Sequence, residues 1–87
     1  MNILFTDTGW NQYTDWQEQD KKIVKRINQL LKSIDRDGAM QGIGKPELLK
    51  HDKSGLYSRR IDEVNRLVYE MSGNQIIVKS CKGHYED

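Results

Sequence analysis

Residues 20–38 read DKKIVKRINQLLKSIDRDG. Within them Ile23, Val24, Ile27, Leu30, Leu31 and Ile34 recur at the spacing of one face of an α-helix. Asp20 is placed to cap this helix and Asp37-Gly38 to end it. Lys21, Lys22, Lys25, Arg26 and Lys32 fall mainly off the apolar stripe. A helix with one continuous apolar stripe must bury it against a second layer. The sequence on either side supplies that layer.

Upstream, Met1–Phe5 reads as a short strand. Asp7 or Thr8 can cap a first helix carrying Trp10, Tyr13 and Trp16 at a spacing of three. Downstream, residues 38–46 hold Gly38, Gly42, Gly44 and the single proline, Pro46, and read as a loop. Strand-like segments follow at Leu56–Ile61, Asn65–Met71 and Gln75–Lys82, with Ser72-Gly73-Asn74 as the turn between the last two. The order β-α-α-β-β-β implies an α+β fold. Two N-terminal helices pack on a largely antiparallel sheet of about four to five strands, in a single domain spanning residues 1–87.

Bulk composition narrows the function classes. Hydrophobic residues make up 36% and charged residues 31%, enough apolar content for one modest core under a well-solvated surface. Cys81 is the only cysteine, so no internal disulfide forms, which suits a reducing, cytoplasmic setting. Cys81 lies in an apolar alternating run and reads as a small core residue. No apolar stretch reaches the ~20 residues a membrane helix needs, and the opening residues lack the basic region of a signal peptide. The net charge of +1 conceals a segregation: residues 1–20 carry −4 and residues 21–36 carry +5. That basic stretch leaves a nucleic-acid partner open, although a solvated helix face is its commoner meaning.

The last hairpin carries a register argument. If Met71 pairs with Gln75, Arg66 pairs with Ser80, and alternation then sets Arg66, Ser80 and His84 on one face. For the preceding hairpin two registers stay open. Pairing Ile61 with Arg66 puts Arg59 on the Arg66 face, whereas pairing Arg60 with Arg66 puts Arg60 there.

Several ordered motifs resemble the YoeB family of toxins. They are Trp16-Gln17-x-x-Asp20; Gly44-Lys45-Pro46-Glu47-x-Leu49-Lys50; Ser54-Gly55-x-Tyr57-Ser58-Arg59-Arg60-Ile61; Arg66-Leu67-Val68-Tyr69; and His84-Tyr85. The resemblance covers essentially the whole chain. It implies a RelE-like fold and a ribosome-dependent endoribonuclease that cleaves messenger RNA in the A site of the 30S subunit, against 16S rRNA. It also implies a YefM-like antitoxin as partner, frequent homodimers, and no cofactor. The family's catalytic set maps onto Glu47, Arg66, His84 and Tyr85, with Lys50 and Arg60 binding substrate. The sequence departs from the family pattern in three places. Leu48 stands where a second proline is common, Asn65 replaces a frequent histidine outside the catalytic set, and Glu86-Asp87 extend past the usual His-Tyr end.

These residue types suit metal-free RNA cleavage. Such cleavage needs a base on the 2′-hydroxyl, a cation on the phosphate oxygens and an acid on the departing 5′-oxygen. Glu47, Arg66 and His84 match those roles, and Tyr85 can position the phosphate or stack on a base. A free glutamate, with a pKa of about 4.3, is a weak base at neutral pH. Orientation of the message by the ribosome would then supply much of the rate.

Plainer readings stand beside these. Arg66 within a strand can pair with Glu63 or Glu70; Trp10, Tyr13 and Trp16 can be core or a partner groove; His51 can be an ordinary loop residue. Two histidines and one cysteine do not make a zinc site, no serine sits in a nucleophile-elbow pattern, and Gly42-x-Gly44-Lys45 is too short for a P-loop. The competing class is a non-catalytic binding module on the same fold, acting by ribosome occlusion or by antitoxin-dependent repression of transcription.

Overall fold

The structure is a computed structural model that describes residues 1–83; His84, Tyr85, Glu86 and Asp87 lie outside the described residues. In chain order it contains β1 (Asn2–Phe5), α1 (Asp7–Gln19), α2 (Lys21–Asp37), β2 (Glu47–Leu48), a 3-10 turn (His51–Lys53), β3 (Tyr57–Arg60), β4 (Arg66–Ser72) and β5 (Gln75–Ser80). The sheet has five strands in the order β1-β5-β4-β3-β2. All its pairings are antiparallel except β1 with β5, which run parallel through Asn2↔Gln75 to Phe5↔Val78. The α+β layout expected from the sequence is therefore present. Among the described residues no helix is long and apolar enough to cross a membrane.

The stripe of α2 does what its spacing requires. Ile23, Ile27, Leu30, Leu31 and Ile34 are buried against Leu67, Tyr69, Ile76, Val78 and Cys81, while Val24 is left half-buried at the margin. Asp20 caps α2 by accepting the Lys22 N–H at 3.0 Å. The helix ends at Asp37, with Gly38 at φ 98°. The cap of α1 is Thr6, one residue before the two candidates. Its hydroxyl accepts the Gly9 N–H at 3.1 Å and sits 3.1 Å from the Lys79 carbonyl, so one side chain joins the helix start to β5.

Alternation assigns the sheet's two faces. Arg59, Leu67, Tyr69, Ile76 and Val78 point at the helices and are fully buried. Residues directly opposite on paired strands share a face. Glu47↔Ser58, Ser58↔Val68 and Val68↔Ser80 therefore form one row across four strands on the side away from the helices, and Arg60↔Arg66 is the next pair on that side.

The last hairpin corrects the expected register. Its turn is the two residues Gly73-Asn74, so Ser72 pairs with Gln75 and Met71 with Ile76. Gly73 alone of the two has positive φ, at 57°, as in a type II′ turn. A shift between Val68 and Tyr69 then inserts Lys79 as an extra residue, and Ser80 stands opposite Val68 rather than Arg66.

Candidate active site

Glu47, Arg60 and Arg66 occupy one face of the sheet. Glu47 lies in β2, a two-residue strand that follows directly on the loop of residues 38–46. Of the two registers open for β3 and β4, Arg60↔Arg66 is the one formed. With strands about 4.8 Å apart and a rise of about 3.4 Å per residue, the Glu47 Cα lies roughly 8 Å from that of Arg60 and roughly 12 Å from that of Arg66. Long side chains from these three positions can meet over a single phosphate. Glu47 and Arg60 are exposed and Arg66 is half-buried. The Nη1 atom of Arg66 is buried and, among the described residues, has no hydrogen-bond partner. A guanidinium nitrogen held out of water without an acceptor is costly, and an incoming phosphate oxygen would satisfy it. Glu70, one of the carboxylates considered for Arg66, instead pairs with Lys79 at 3.4 Å.

Lys50 is exposed and lies beyond the end of the β2 ladder, just before the 3-10 turn, so the strand register does not place it with the other three. The backbone on both sides of Glu47 is unusual. Lys45 and His51 have φ of 51° and 60°, the left-handed region that non-glycine residues rarely adopt. His84 and Tyr85 lie outside the described residues, but the chain leading to them is held firmly. The Arg66 N–H donates to the Gly83 carbonyl at 3.1 Å, and the Gly83 N–H donates to Asn65 Oδ1 at 2.8 Å. Cys81 is held from the helix side: its N–H donates to Gln12 Oε1 at 2.7 Å and its carbonyl accepts from Trp16 Nε1 at 2.9 Å. Trp16 also lies beneath the Lys82 ammonium, 5.3 Å from the ring centroid.

The other arginine of the Arg-Arg pair has a different task. Arg59 is fully buried. Its guanidinium donates to Tyr69 Oη at 2.9 Å, Ser33 Oγ at 2.9 Å and the carbonyls of Ile43 at 2.9 Å, Gly38 at 2.8 Å, Ala39 at 3.3 Å and Gln41 at 2.6 Å. The Tyr69 hydroxyl donates onward to the Ala39 carbonyl at 2.7 Å. Carbonyls at a helix C-terminus carry partial negative charge and need donors, and Arg59 supplies them. Residues 38–43 are thereby lashed to the sheet. The chain then continues through Gly44, whose carbonyl accepts the Arg60 N–H at 2.7 Å, to Glu47. The Gly-rich loop is a rigid approach to β2. Its sequence signal is Arg59, the first of the Arg59-Arg60 pair, whose face the two candidate registers leave open.

A groove of about 440 Å³, lined by Gln17, Lys21, Val24, Lys25 and Asn28, lies on the two helices, and none of Glu47, Arg60 and Arg66 lines it. Among the described residues no three His, Cys, Asp or Glu side chains gather as metal ligands.

Residues 5–85 match the profile of the YoeB-like toxin of bacterial type II toxin–antitoxin systems. The chain belongs to the YoeB-like toxin family. The YoeB toxin of Streptomyces coelicolor is 48% identical over 85 residues, covering 98% of this chain and all of that protein. The toxin in a heterotetrameric YoeB–YefM complex from Staphylococcus aureus shares 54% identity and superposes with a TM-score of 0.92, with 98% of each chain covered. A YoeB dimer from the same organism gives 0.93 at 54% identity and the same coverage. Against this YoeB-like background Leu48, one of the departures, is a half-exposed strand residue opposite Tyr57. Asn65, another, is buried at the centre of the contacts that hold Gly83.

Proposed function

We propose that this YoeB-like toxin is a metal-independent endoribonuclease that cleaves messenger RNA in the ribosomal A site and thereby stops translation. The observation that carries the reading is the single sheet face bearing Glu47, Arg60 and Arg66, against which Arg66 also holds the residue preceding His84. In this scheme Glu47 takes the proton of the 2′-hydroxyl, and the 2′-oxygen attacks the adjacent phosphorus. Arg66, assisted by Arg60 and Lys50, neutralises the charge gathering on the phosphate oxygens. His84 protonates the 5′-oxygen as the P–O5′ bond breaks, leaving a 2′,3′-cyclic phosphate and a 5′-hydroxyl. Tyr85 positions the scissile phosphate. The weak basicity of a carboxylate is offset by the orientation of the message in the decoding site. The protein acts in the cytoplasm. It pairs with a YefM-like antitoxin and can form a homodimer, a reading supported by its likeness to the YoeB–YefM complex and the YoeB dimer of Staphylococcus aureus.

Cleavage of a message on programmed ribosomes, with the new 5′ ends mapped and their chemistry determined, tests this reading. Cuts ending in a cyclic phosphate and lost in His84→Gln are the expected result. Translation arrested with messages intact, and arrest that survives His84→Gln, would instead establish the ribosome-occluding module.

A further inference from the structure

Asn65 sits where the β3–β4 turn enters β4 and is only 8% exposed. Both ends of its side-chain amide are engaged. Nδ2 donates to the two carboxylate oxygens of Asp62, each at 3.2 Å, and Oδ1 accepts the Gly83 N–H at 2.8 Å. Asp62 is itself built into the turn: its Oδ1 accepts the backbone N–H groups of Val64 at 2.8 Å and Asn65 at 2.6 Å. A carboxylate accepts hydrogen bonds and cannot donate them. Asp62 therefore forces the NH₂ end of the Asn65 amide toward itself and the oxygen end toward Gly83. Burial works against the charge on Asp62, but the N–H groups of Asn65 and Val64, the Asn65 amide and nearby Arg66 together hold its carboxyl below the usual aspartate range. The orienting charge thus persists through neutral and mildly acid pH.

The position of this contact gives it meaning. The β5 ladder ends at Ser80, and Gly83 has φ 93°, so the chain changes course three residues after the strand ends. Without ladder bonds, Cys81 is fixed by Gln12 and Trp16, and Gly83 by Asn65 and the Arg66 N–H. Among the described residues Asn65 supplies the one side-chain hydrogen bond to Gly83, and Gly83 is covalently joined to His84.

We infer that Asn65, oriented by Asp62, is a positioning residue that fixes the Gly83 peptide and so sets where His84 and Tyr85 enter the site. This inference rests on the endonuclease reading above. Asn65 touches no reacting atom. Histidine at this position can do the same work, one ring nitrogen accepting from Gly83 and the other donating to Asp62, whereas alanine can do neither.

The test compares the unsubstituted toxin with Asn65→Ala, Asn65→His and Asp62→Ala by amide hydrogen exchange at Gly83 and by single-turnover cleavage on programmed ribosomes. In Asn65→Ala, Gly83 exchange should accelerate at least tenfold or so as its acceptor is lost. The cleavage rate constant should fall about 10- to 100-fold, at an unchanged half-saturating toxin concentration. Asn65→His should recover both. Asp62→Ala should shift both in the same direction as Asn65→Ala, and serves if that variant does not fold. Gly83 protection lost with cleavage unchanged overturns the positioning role alone, as does Gly83 protection that neither Asn65→Ala nor Asp62→Ala alters. No cleavage by the unsubstituted toxin overturns the endonuclease reading and the role of Asn65 with it.

Discussion

Arg60 and Arg66 stand directly opposite one another on neighbouring antiparallel strands, both on the face turned away from the helices. Like charges in that relation repel, at a cost of about 0.2–1 kcal/mol in a sheet. Arg66 adds a buried Nη1 with no acceptor among the described residues. An anion bound on this face would satisfy that nitrogen. Thermal unfolding in sulfate, compared with chloride of equal ionic strength, should show an upward shift of a few degrees. Arg66→Gln should remove that dependence. An identical sulfate response in the variant would mean that the anion acts elsewhere.

In the proposed cleavage reaction, Arg66→Ala should lower the single-turnover rate by about 10²–10³, the usual effect of losing a preorganised donor to a developing oxyanion. Arg66→Lys should recover only part, because an ammonium lacks the planar fork. Stopped reactions on programmed ribosomes provide the measurement. A rate within twofold of the unsubstituted protein would exclude Arg66 from the chemistry.

Arg59 should respond in the opposite way. Arg59→Ala strips donors from a ring of carbonyls and from Tyr69, and should cost about 3–5 kcal/mol in urea unfolding, as for other broken buried charge contacts. Arg59→Lys should recover less than half, since three rotatable donors on one nitrogen cannot span the acceptors that the guanidinium reaches. Two adjacent arginines thus divide the work, one building the fold and the next standing on the face proposed to take the substrate. That division was not legible in the sequence, because one residue of register decides it.

A glycine in a helix interior ordinarily gains about 0.5–1 kcal/mol on replacement by alanine. Gly9 should not, because a β-carbon there would lie 2.5 Å from the Val78 carbonyl oxygen. Gly9→Ala should push α1 off β5 and destabilise by about 1–3 kcal/mol, the range of overpacked cores. Urea denaturation followed by circular dichroism decides the sign.

The pH dependence of stability has two limbs. Burial pushes the Cys81 thiol up to about 11 from 9.0, and burial likewise raises the Tyr69 phenol, against the opposing influence of Arg59. The folded protein then holds protons that the unfolded chain releases, so stability is fully present below pH 9 and falls as pH rises toward 11. On the acid side Asp62 lies below its ordinary 3.8, so its contribution is present above that value and is lost as pH falls below it. Cys81→Ser should flatten the alkaline limb and Asp62→Ala the acid one, each read from unfolding free energies across pH. In the native state Cys81 should resist thiol reagents at pH 8 and react once urea is added.

The α2 stripe and the order of elements were legible because each rests on many residues in agreement. What the sequence hid rests on single steps. A two-residue strand has no period to read, so β2 merged into the loop before it. A two-residue turn where three were counted, together with the extra Lys79, moved Ser80 from Arg66 to Val68. Glu47, Arg60 and Arg66 are named by the family motifs that contain them, and the strand register sets the three on one face. Asn65 was passed over as a departure outside the catalytic set. Its value lies in holding Gly83, a contact no pattern of residue types announces, although an aspartate three residues before an asparagine in a tight turn is a recognisable local device.

The parallel pairing of β1 with β5 joins residues 2–5 to residues 75–78. In the same way α1 is pinned to β5 and Cys81 by contacts spanning up to 73 positions. Neither the first strand nor the first helix has its principal partner until the far end of the domain exists. During synthesis the emerging N-terminal half has a helical hairpin and no sheet to lay it on. A chain of this topology matures only after nearly all of it has left the exit tunnel. A toxin built this way has no complete fold while it is being made, and its activity can begin only with release.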